Sequence, residues 1–560
     1  MPNHRLFQPA VAFLTLLALG LSSCSTGFYK KWADKETYGI LRKKASKVPN
    51  SGQAFLDITP PPPVRLEELR KNMKKEEFLG DRAYLEENAR VISLAEALDY
   101  AVHRNRSYLV QKETVYLAAL NLTLVRQQYG PIIGGGGSAT KASTDAVTGI
   151  NNLVRTSTLT TTGNLGFSAL TRTGTLLATN LTTNFVRFFT GGKDSGISQL
   201  GFSLAQPLLS GAGYLSASEV LTQSERSVLY AIRTFAQYRK SFAVDIAAQY
   251  YGVIQSRETA RNAYLAFKAF DFVVARETAM QKENANSTKS SVFRLVQSRI
   301  VFERSWLSAI RDYEQALDDL KVNLGLPVTE RFVVDYKDKD ALQIIESPGT
   351  LDEAIAIAMT NRLDIWNLRD QVEDTSRRVL IAKQQALPSV NALVNYNMLD
   401  NPDHNDFRLV PGNKNYSVGL NTDLNLNQKP ERNILRSSIV AEQQARRALD
   451  LFEENTRSDV RTGWRDLQLA RKQYELARQG MEISTQRLEV EEAFNAEGLG
   501  TAINLVDAQR DMNTTRNLMV STTINHTLVR LRLWRDMGVL FIEKDGGWVD
   551  VLNKEKPKGE

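Results

Sequence analysis

The chain has 560 residues, 42% hydrophobic and 24% charged, with a formal net charge of +7, four histidines and one cysteine. So mild an imbalance, with no basic run interleaved with aromatics, does not support a nucleic-acid footprint. One cysteine excludes an internal disulfide or a CxxC pair. No HExxH, GxSxG, Walker loop or GxGxxG is present, so the chain is read as no enzyme, without cofactor or metal.

Residues 1–23 read as a targeting segment: His4 and Arg5, an apolar run from Val11 to Leu21, then Leu21-Ser22-Ser23-Cys24. The run, about 11 residues, is too short to span a bilayer as a helix, which takes about 20, but suits a signal peptide. Small residues before Cys24 resemble the bacterial lipobox, which implies cleavage and a lipidated cysteine as the new N-terminus. An ordinary signal peptide with an incidental thiol is the plainer alternative. Ser25 in place of Asp favours passage to the outer membrane, by analogy with enterobacterial lipoproteins. Cleavage would remove one arginine and no acid.

Residues 24–91 form an N-terminal extension. FYKKWADKETYGILRKKASK is basic and amphipathic, and the four prolines of ITPPPP favour an extended polyproline stretch. A solvated strap is expected, with Lys30, Lys31, Arg42, Lys43 and Lys44 at most modestly attracted to anionic head groups.

The rest of the chain is written twice. Leu94, Glu96, Ala97 and Ala101 match Leu351, Glu353, Ala354 and Ala358. At the same offset, Arg126-Gln127-Gln128 and Pro131 match Lys383-Gln384-Gln385 and Pro388. FRLVQSR (293–299) matches INLVDAQR (503–510) at a shorter offset, so the first half carries the longer insert. Such a duplication takes precedence over domain counting by length. The first repeat, 92–325, reads as helices to 129, strand and loop over 131–208, and long helices over 212–283 and 290–325. A linker, 326–349, follows. The second repeat, 350–538, has helices over 350–387, strands over 388–427, and long helices over 431–495 and 502–538. A tail covers 539–560.

The long helices carry near-coiled-coil seams: Leu295, Phe302, Trp306, Ile310, Tyr313, Leu317, Leu320 and Leu324 recur at three-, four- and seven-residue spacings. Between the seams, Gln237, Arg239, Lys240, Asp245 and Gln249 suggest wet or half-wet faces. The expected first long helix, 212–283, would run about 100 Å, more than a compact domain holds.

The strands alternate. In 415–427, Tyr416, Val418, Leu420, Thr422, Leu424 and Leu426 oppose Ser417, Gly419, Asn421, Asp423, Asn425 and Asn427. In 390–398, Val390, Ala392, Val394, Tyr396 and Met398 oppose Asn391, Leu393, Asn395 and Asn397. In 198–208, Leu200, Phe202, Leu204 and Leu208 oppose Gln199, Gly201, Ser203 and Ala205. One such strand fits a soluble sandwich. The second face, almost wholly Asn, Ser, Gly and Asp, fits transmembrane barrel strands of about 9–11 residues, apolar to lipid and polar to a wet lumen. Asn391, Asn395, Asn421, Asp423 and Asn425 are the candidate lumen residues. Two strands in the second half and two to four in the first are too few to close a barrel. An open edge in lipid costs several kcal/mol per unpaired group, so several copies are expected to share one barrel.

In order and duplication, QPLLSGAG (206–213), LNLNQKPERN (424–433), EGLGTAINLVDAQRDM (497–512) and the repeated Leu94–Pro131 signature resemble the TolC-like outer-membrane efflux family over residues 92–540. The resemblance implies a mainly α fold with a membrane β-barrel: a homotrimer, four strands per copy in a 12-stranded barrel, and long helices in a periplasmic α-barrel. It also implies a lipoprotein channel of a tripartite efflux or type I secretion system, fed by an inner-membrane transporter through a periplasmic adaptor. Parts of 325–349 and the tail would form a belt about its middle. The family's short glycine-containing tip, thought to meet the adaptor, is matched by Gly498, Leu499, Gly500 and Thr501. Its entrance acids fall at Asn504 and Asp507, and at Arg294 and Gln297 in the first half. Three Asp507 offset by three Arg294 are expected there in place of a strongly anionic ring. Local ion pairs, about 0–1 kcal/mol each, are the plainer alternative. A structural coiled-coil periplasmic lipoprotein or adaptor without a pore is the rival from another class.

Overall fold

The computed structural model describes residues 26–51, 56–58, 69–72, 76–147, 153–191, 193, 195–282, 289–340, 342–345, 349–400, 409–424, 426–497 and 499–549. The leader with Cys24, the proline run, the 283–288 break, Asn425 and Gly498 lie outside these residues.

In chain order the elements are α1 (Thr26–Ala45), β1 (Arg90–Ile92), α2 (Leu94–Arg104), α3 (Arg106–Gln128), β2 (Pro131–Val147), β3 (Leu153–Leu170), β4 (Leu176–Phe188), β5 (Ser195–Pro207), α4 (Gly213–Ala217), α5 (Glu219–Lys282), α6 (Lys289–Leu324) and β6 (Phe332–Val334). The second half holds α7 (Leu351–Asn361), α8 (Leu363–Gln385), β7 (Ser389–Asp400), β8 (Leu409–Asp423), α9 (Lys429–Ala496), α10 (Ala502–Asp536), β9 (Phe541–Ile542) and β10 (Trp548–Val549). The chain divides into two compact units, residues 1–44, 116–231 and 367–449, and residues 45–115, 232–366 and 450–560.

The first unit is built on one six-stranded antiparallel sheet in the order β2-β3-β4-β5-β7-β8. Here the structure departs from the expectation of four strands per copy. Residues 131–208 form four strands, because the longer insert is rich in β-favouring Thr and has room for an extra hairpin. One turn carries Gly174 at φ 92°, a left-handed conformation that costs glycine little. Beneath the sheet, charged pairs join the helices. Arg226 holds Asp374 at 2.6 Å and Glu373 at 2.8 Å, Tyr230 donates to Asp374 at 2.6 Å, and Arg377 reaches Glu219 at 2.6 Å. Helix α1 is seated here too. Ile40 and Leu41 are buried, Tyr116 donates to Asp34 at 2.6 Å, and Lys44 pairs with Glu225 at 2.6 Å.

The second unit shows the duplication in its packing. Ser93 with Glu96, and Thr350 with Glu353, form capping boxes at equivalent positions. Each short helix then ends against a glycine with positive φ. A Cβ on Gly325 would lie 2.4 Å from the Arg104 carbonyl oxygen, and one on Gly538 3.0 Å from that of Asn361. The linker joins this unit through β6, which pairs in parallel with β1. Residues 76–91 of the extension are packed, not a solvated strap. Trp306 donates to the Phe78 carbonyl at 2.7 Å. Glu86, 1% exposed, accepts both arms of Arg257 at 2.8 and 2.9 Å and the Tyr313 hydroxyl at 2.7 Å.

Two cations expected on a wet face are buried. Arg239 donates to the carbonyls of Asn50 at 2.8 Å and Ile542 at 3.1 Å, and Lys240 to that of Gly538 at 2.7 Å. Desolvation lowers Arg239 to about 10 and Lys240 to about 8. The C-terminal segment covers these cations, which local alternation does not show.

Candidate functional site

Two features stand out, one in each unit. In the sheet, directly opposed residues of antiparallel strands share a face, so the register decides whether the alternations combine. Asn391 opposes Asn421, Leu393 opposes Gly419, Asn395 opposes Ser417, Asn397 opposes Asn415, and Ser389 opposes Asp423. Val390, Ala392, Val394 and Tyr396 oppose Thr422, Leu420, Val418 and Tyr416. Across the duplication, Gly201 and Ser203 oppose Asn397 and Asn395, while Leu200, Phe202 and Leu204 oppose Met398, Tyr396 and Val394. Both alternations therefore add in phase across the sheet.

The register extends the polar face to residues that the sequence reading passed over. Asn180 opposes Gly201, and Thr182 opposes Gln199; these in turn oppose Gly166 and Asn164. Leu177, Leu181 and Phe185 continue the apolar face. The run Ala178-Thr179-Asn180-Leu181-Thr182-Thr183 carries the period-two signal, blurred by threonine on both faces. Asn391 donates to Ser389 at 3.1 Å and Asn395 to Ser417 at 3.4 Å. Among the candidate lumen residues, Asn391, Asn395, Asn421 and Asp423 thus lie on one face, and Asn425 is outside the described residues. The apolar face is open: Val418 is 74% exposed and Ile133 74%. Towards the strand ends away from the helices the same face becomes charged. Lys141 and Arg187 lie over the Phe189 ring at 5.4 and 5.9 Å, and Arg155 pairs with Asp145 at 2.8 Å.

The second feature is the α9–α10 turn. The amides of Leu499 and Gly500 both donate to the Phe494 carbonyl, at 2.9 and 3.0 Å. A Cβ on Gly500 would meet the Asn495 nitrogen at 2.9 Å, so the reversal needs a glycine. Thr501 caps α10, its side chain accepting from the Asn504 amide at 3.3 Å. Leu499 is 78% exposed. One turn on, Leu505 and Val506 point into the packed helices, Val506 among Phe270, Leu295 and Phe302, and Leu505 among Leu488, Ala508 and Met512. Asn504 and Asp507 on α10 and Arg294 and Gln297 on α6 are left exposed. Asp507 lies 4.0 Å from Arg510 on its own helix. No ion pair between Asp507 and Arg294 occurs among the described residues. Behind the turn is a cleft of about 400 Å³ lined by Phe270, Phe272, Arg276, Glu492 and Asn495.

Among the described residues no three His, Cys, Asp or Glu side chains come together as a metal-holding group. No described helix is long and apolar enough to cross a membrane.

No family model matches the chain, and a search of curated proteins finds no match. Solved structures do. The outer-membrane channel OprN aligns with 84% of this chain and 93% of its own at 13% identity and TM-score 0.60. VceC, an outer membrane protein of Vibrio cholerae, aligns with 80% of this chain and 96% of its own at 12% identity and TM-score 0.58. The Campylobacter jejuni CmeC outer membrane channel aligns with 80% of this chain and 85% of its own at 13% identity and TM-score 0.58. The chain is similar to outer-membrane channels and has their fold, that of the TolC-like architecture the sequence resembles.

Proposed function

We propose that this chain is one subunit of a homo-oligomeric outer-membrane channel, a trimer in the family's pattern. It passively conducts solutes or proteins delivered by an inner-membrane transporter and a periplasmic adaptor. The observation that carries the reading is the in-phase sheet. An open apolar face backed by a face of Asn, Ser, Thr and Gly suits a wall with lipid on one side and water on the other. A soluble sandwich would need a second layer over Val394, Tyr396, Val418 and Leu420. The likeness to solved channels at 12–14% identity supports the same reading.

In this reading Asn391, Asn395, Asn421, Asp423 and Asn425 line the lumen. Gly498, Leu499, Gly500 and Thr501 form the adaptor-contact tip. Arg294, Gln297, Asn504 and Asp507 surround the entrance. Asp507, shared with Arg510, gives only a weakly anionic ring. Cys24, lipidated after removal of residues 1–23, anchors the chain in the outer membrane. Planar-bilayer recordings on the purified full-length protein test the pore. Discrete single-channel currents and heat-modifiable gel migration are expected; a detergent-independent monomer with no currents would refute it.

A further inference from the structure

Six strands in one chain leave two open edges, as four would, but they change the size of any barrel built from copies. Strands β2 and β8 are the ends of the sheet, and among the described residues each has a neighbour on one side only. They are long, 17 and 15 residues, and the apolar face runs onto both, through Ile133 on β2 and Tyr416, Val418 and Leu420 on β8. In hydrocarbon, unpaired backbone at both edges is not tolerated. Single-chain barrels begin at about eight strands, so six cannot close alone. The occupant of each edge must itself be a strand with matching faces. A second copy of this chain supplies one at either side. Because six is even, β8 of one copy runs antiparallel to β2 of the next, continuing the pattern of every other pair in the sheet.

We propose that all six strands of each copy enter one shared wall, β8 pairing with β2 of the neighbouring copy, and that a trimer therefore closes an 18-stranded barrel. This rests on the channel reading above and departs from the 12 strands which the resemblance implies. Barrel diameter grows roughly linearly with strand number, so the lumen is roughly 1.5 times as wide as a 12-stranded one and about twice its cross-section. At that width, with a face of Asn, Thr, Ser and Gly, the sheet portion does not sieve cargo by charge and admits bulky hydrated polymers or polypeptides. Any narrow filter lies in the helices.

The competing arrangement keeps β2 and β3 out of the wall and closes 12 strands with β4 as the edge. Paired cysteines in the full chain separate the two. Ser138 on β2, Thr182 on β4 and Ser417 on β8 all lie on the polar face near mid-strand. With all six strands in the wall, Ser138→Cys/Ser417→Cys gives covalent trimers on oxidation. Thr182→Cys/Ser417→Cys gives none, since those positions are three strands, about 14 Å, apart both within a copy and across the seam to the next copy. Cross-linking of the Thr182 pair, or of neither pair in a protein that still conducts, overturns the 18-stranded wall and leaves the channel reading intact. A monomer with no currents overturns both. Imaging of the unmodified protein in lipid nanodiscs gives the independent count: 18 strands in cross-section supports the proposal, and 12 refutes it.

Discussion

Glu86→Ala is the most searching single change. Glu86 is 1% exposed and compensates the guanidinium of Arg257, itself 3% exposed, through two hydrogen bonds at 2.8 and 2.9 Å. Burial lowers the Arg257 pKa, but the hydrogen bonds and charge of Glu86 outweigh that, so its pKa stands raised. Truncation leaves the guanidinium buried with Glu76 at 3.3 Å as its remaining acid and with the Phe78 and Tyr336 rings at 4.9 and 4.6 Å. It also removes the acceptor of the Tyr313 hydroxyl. Breaking a buried pair from one side costs about 3–5 kcal/mol; Glu76 puts the expectation near the lower end, about 3 kcal/mol. Urea titration followed by helical circular dichroism, with the protein in detergent, measures it. Glu86→Leu with Arg257→Met removes both charges and is expected to recover most of the loss. A cost for Glu86→Ala under about 1 kcal/mol would show that residues 76–91 are the solvated strap suggested by their sequence.

The faces of the sheet are separable by charge. If the sheet lines a membrane barrel as proposed, Val418→Lys is expected to destabilise it by about 2–4 kcal/mol near the bilayer midplane, and Ser417→Lys by little, as read by the temperature of heat-modified migration. His526 is fully buried, with no hydrogen-bond partner for either ring nitrogen among the described residues, and desolvation lowers it to about 4. The unfolded chain takes up that proton first, so the contribution is whole above about pH 6.5 and is lost as pH falls towards 4, about 3 kcal/mol in all. His526→Leu should flatten that part of the stability profile. Gly500→Val should open the α9–α10 turn, since its Cβ would stand 2.9 Å from the Asn495 nitrogen; limited proteolysis is expected to nick residues 496–502 in the variant and not in the parent. Polyvalent cations should block currents only weakly, and Asp507→Asn should leave that block unchanged; tight block abolished by the substitution would contradict the weak ring.

What was legible in the sequence is what repeats over short range. The matched signatures set two copies of one helix–strand–helix plan, and the equivalent capping boxes at Ser93 and Thr350 follow from a serine or threonine three residues ahead of a glutamate. Period-two alternation told the faces of β7 and β8 apart, and Gly500 marked the reversal. The strand count was not legible, because threonine on both faces of β3 and β4 and the glycine run of β2 weaken the alternation. Only the tertiary structure decided that the extra hairpin joins the sheet, that its polar face continues that of Asn391 and Asn395, and that Glu86, Arg239 and Lys240 are buried. The physical reason is range. Alternation and capping act between neighbours along the chain, whereas strand register and a buried Arg257–Glu86 pair, 171 residues apart in sequence, exist only once distant segments are packed together.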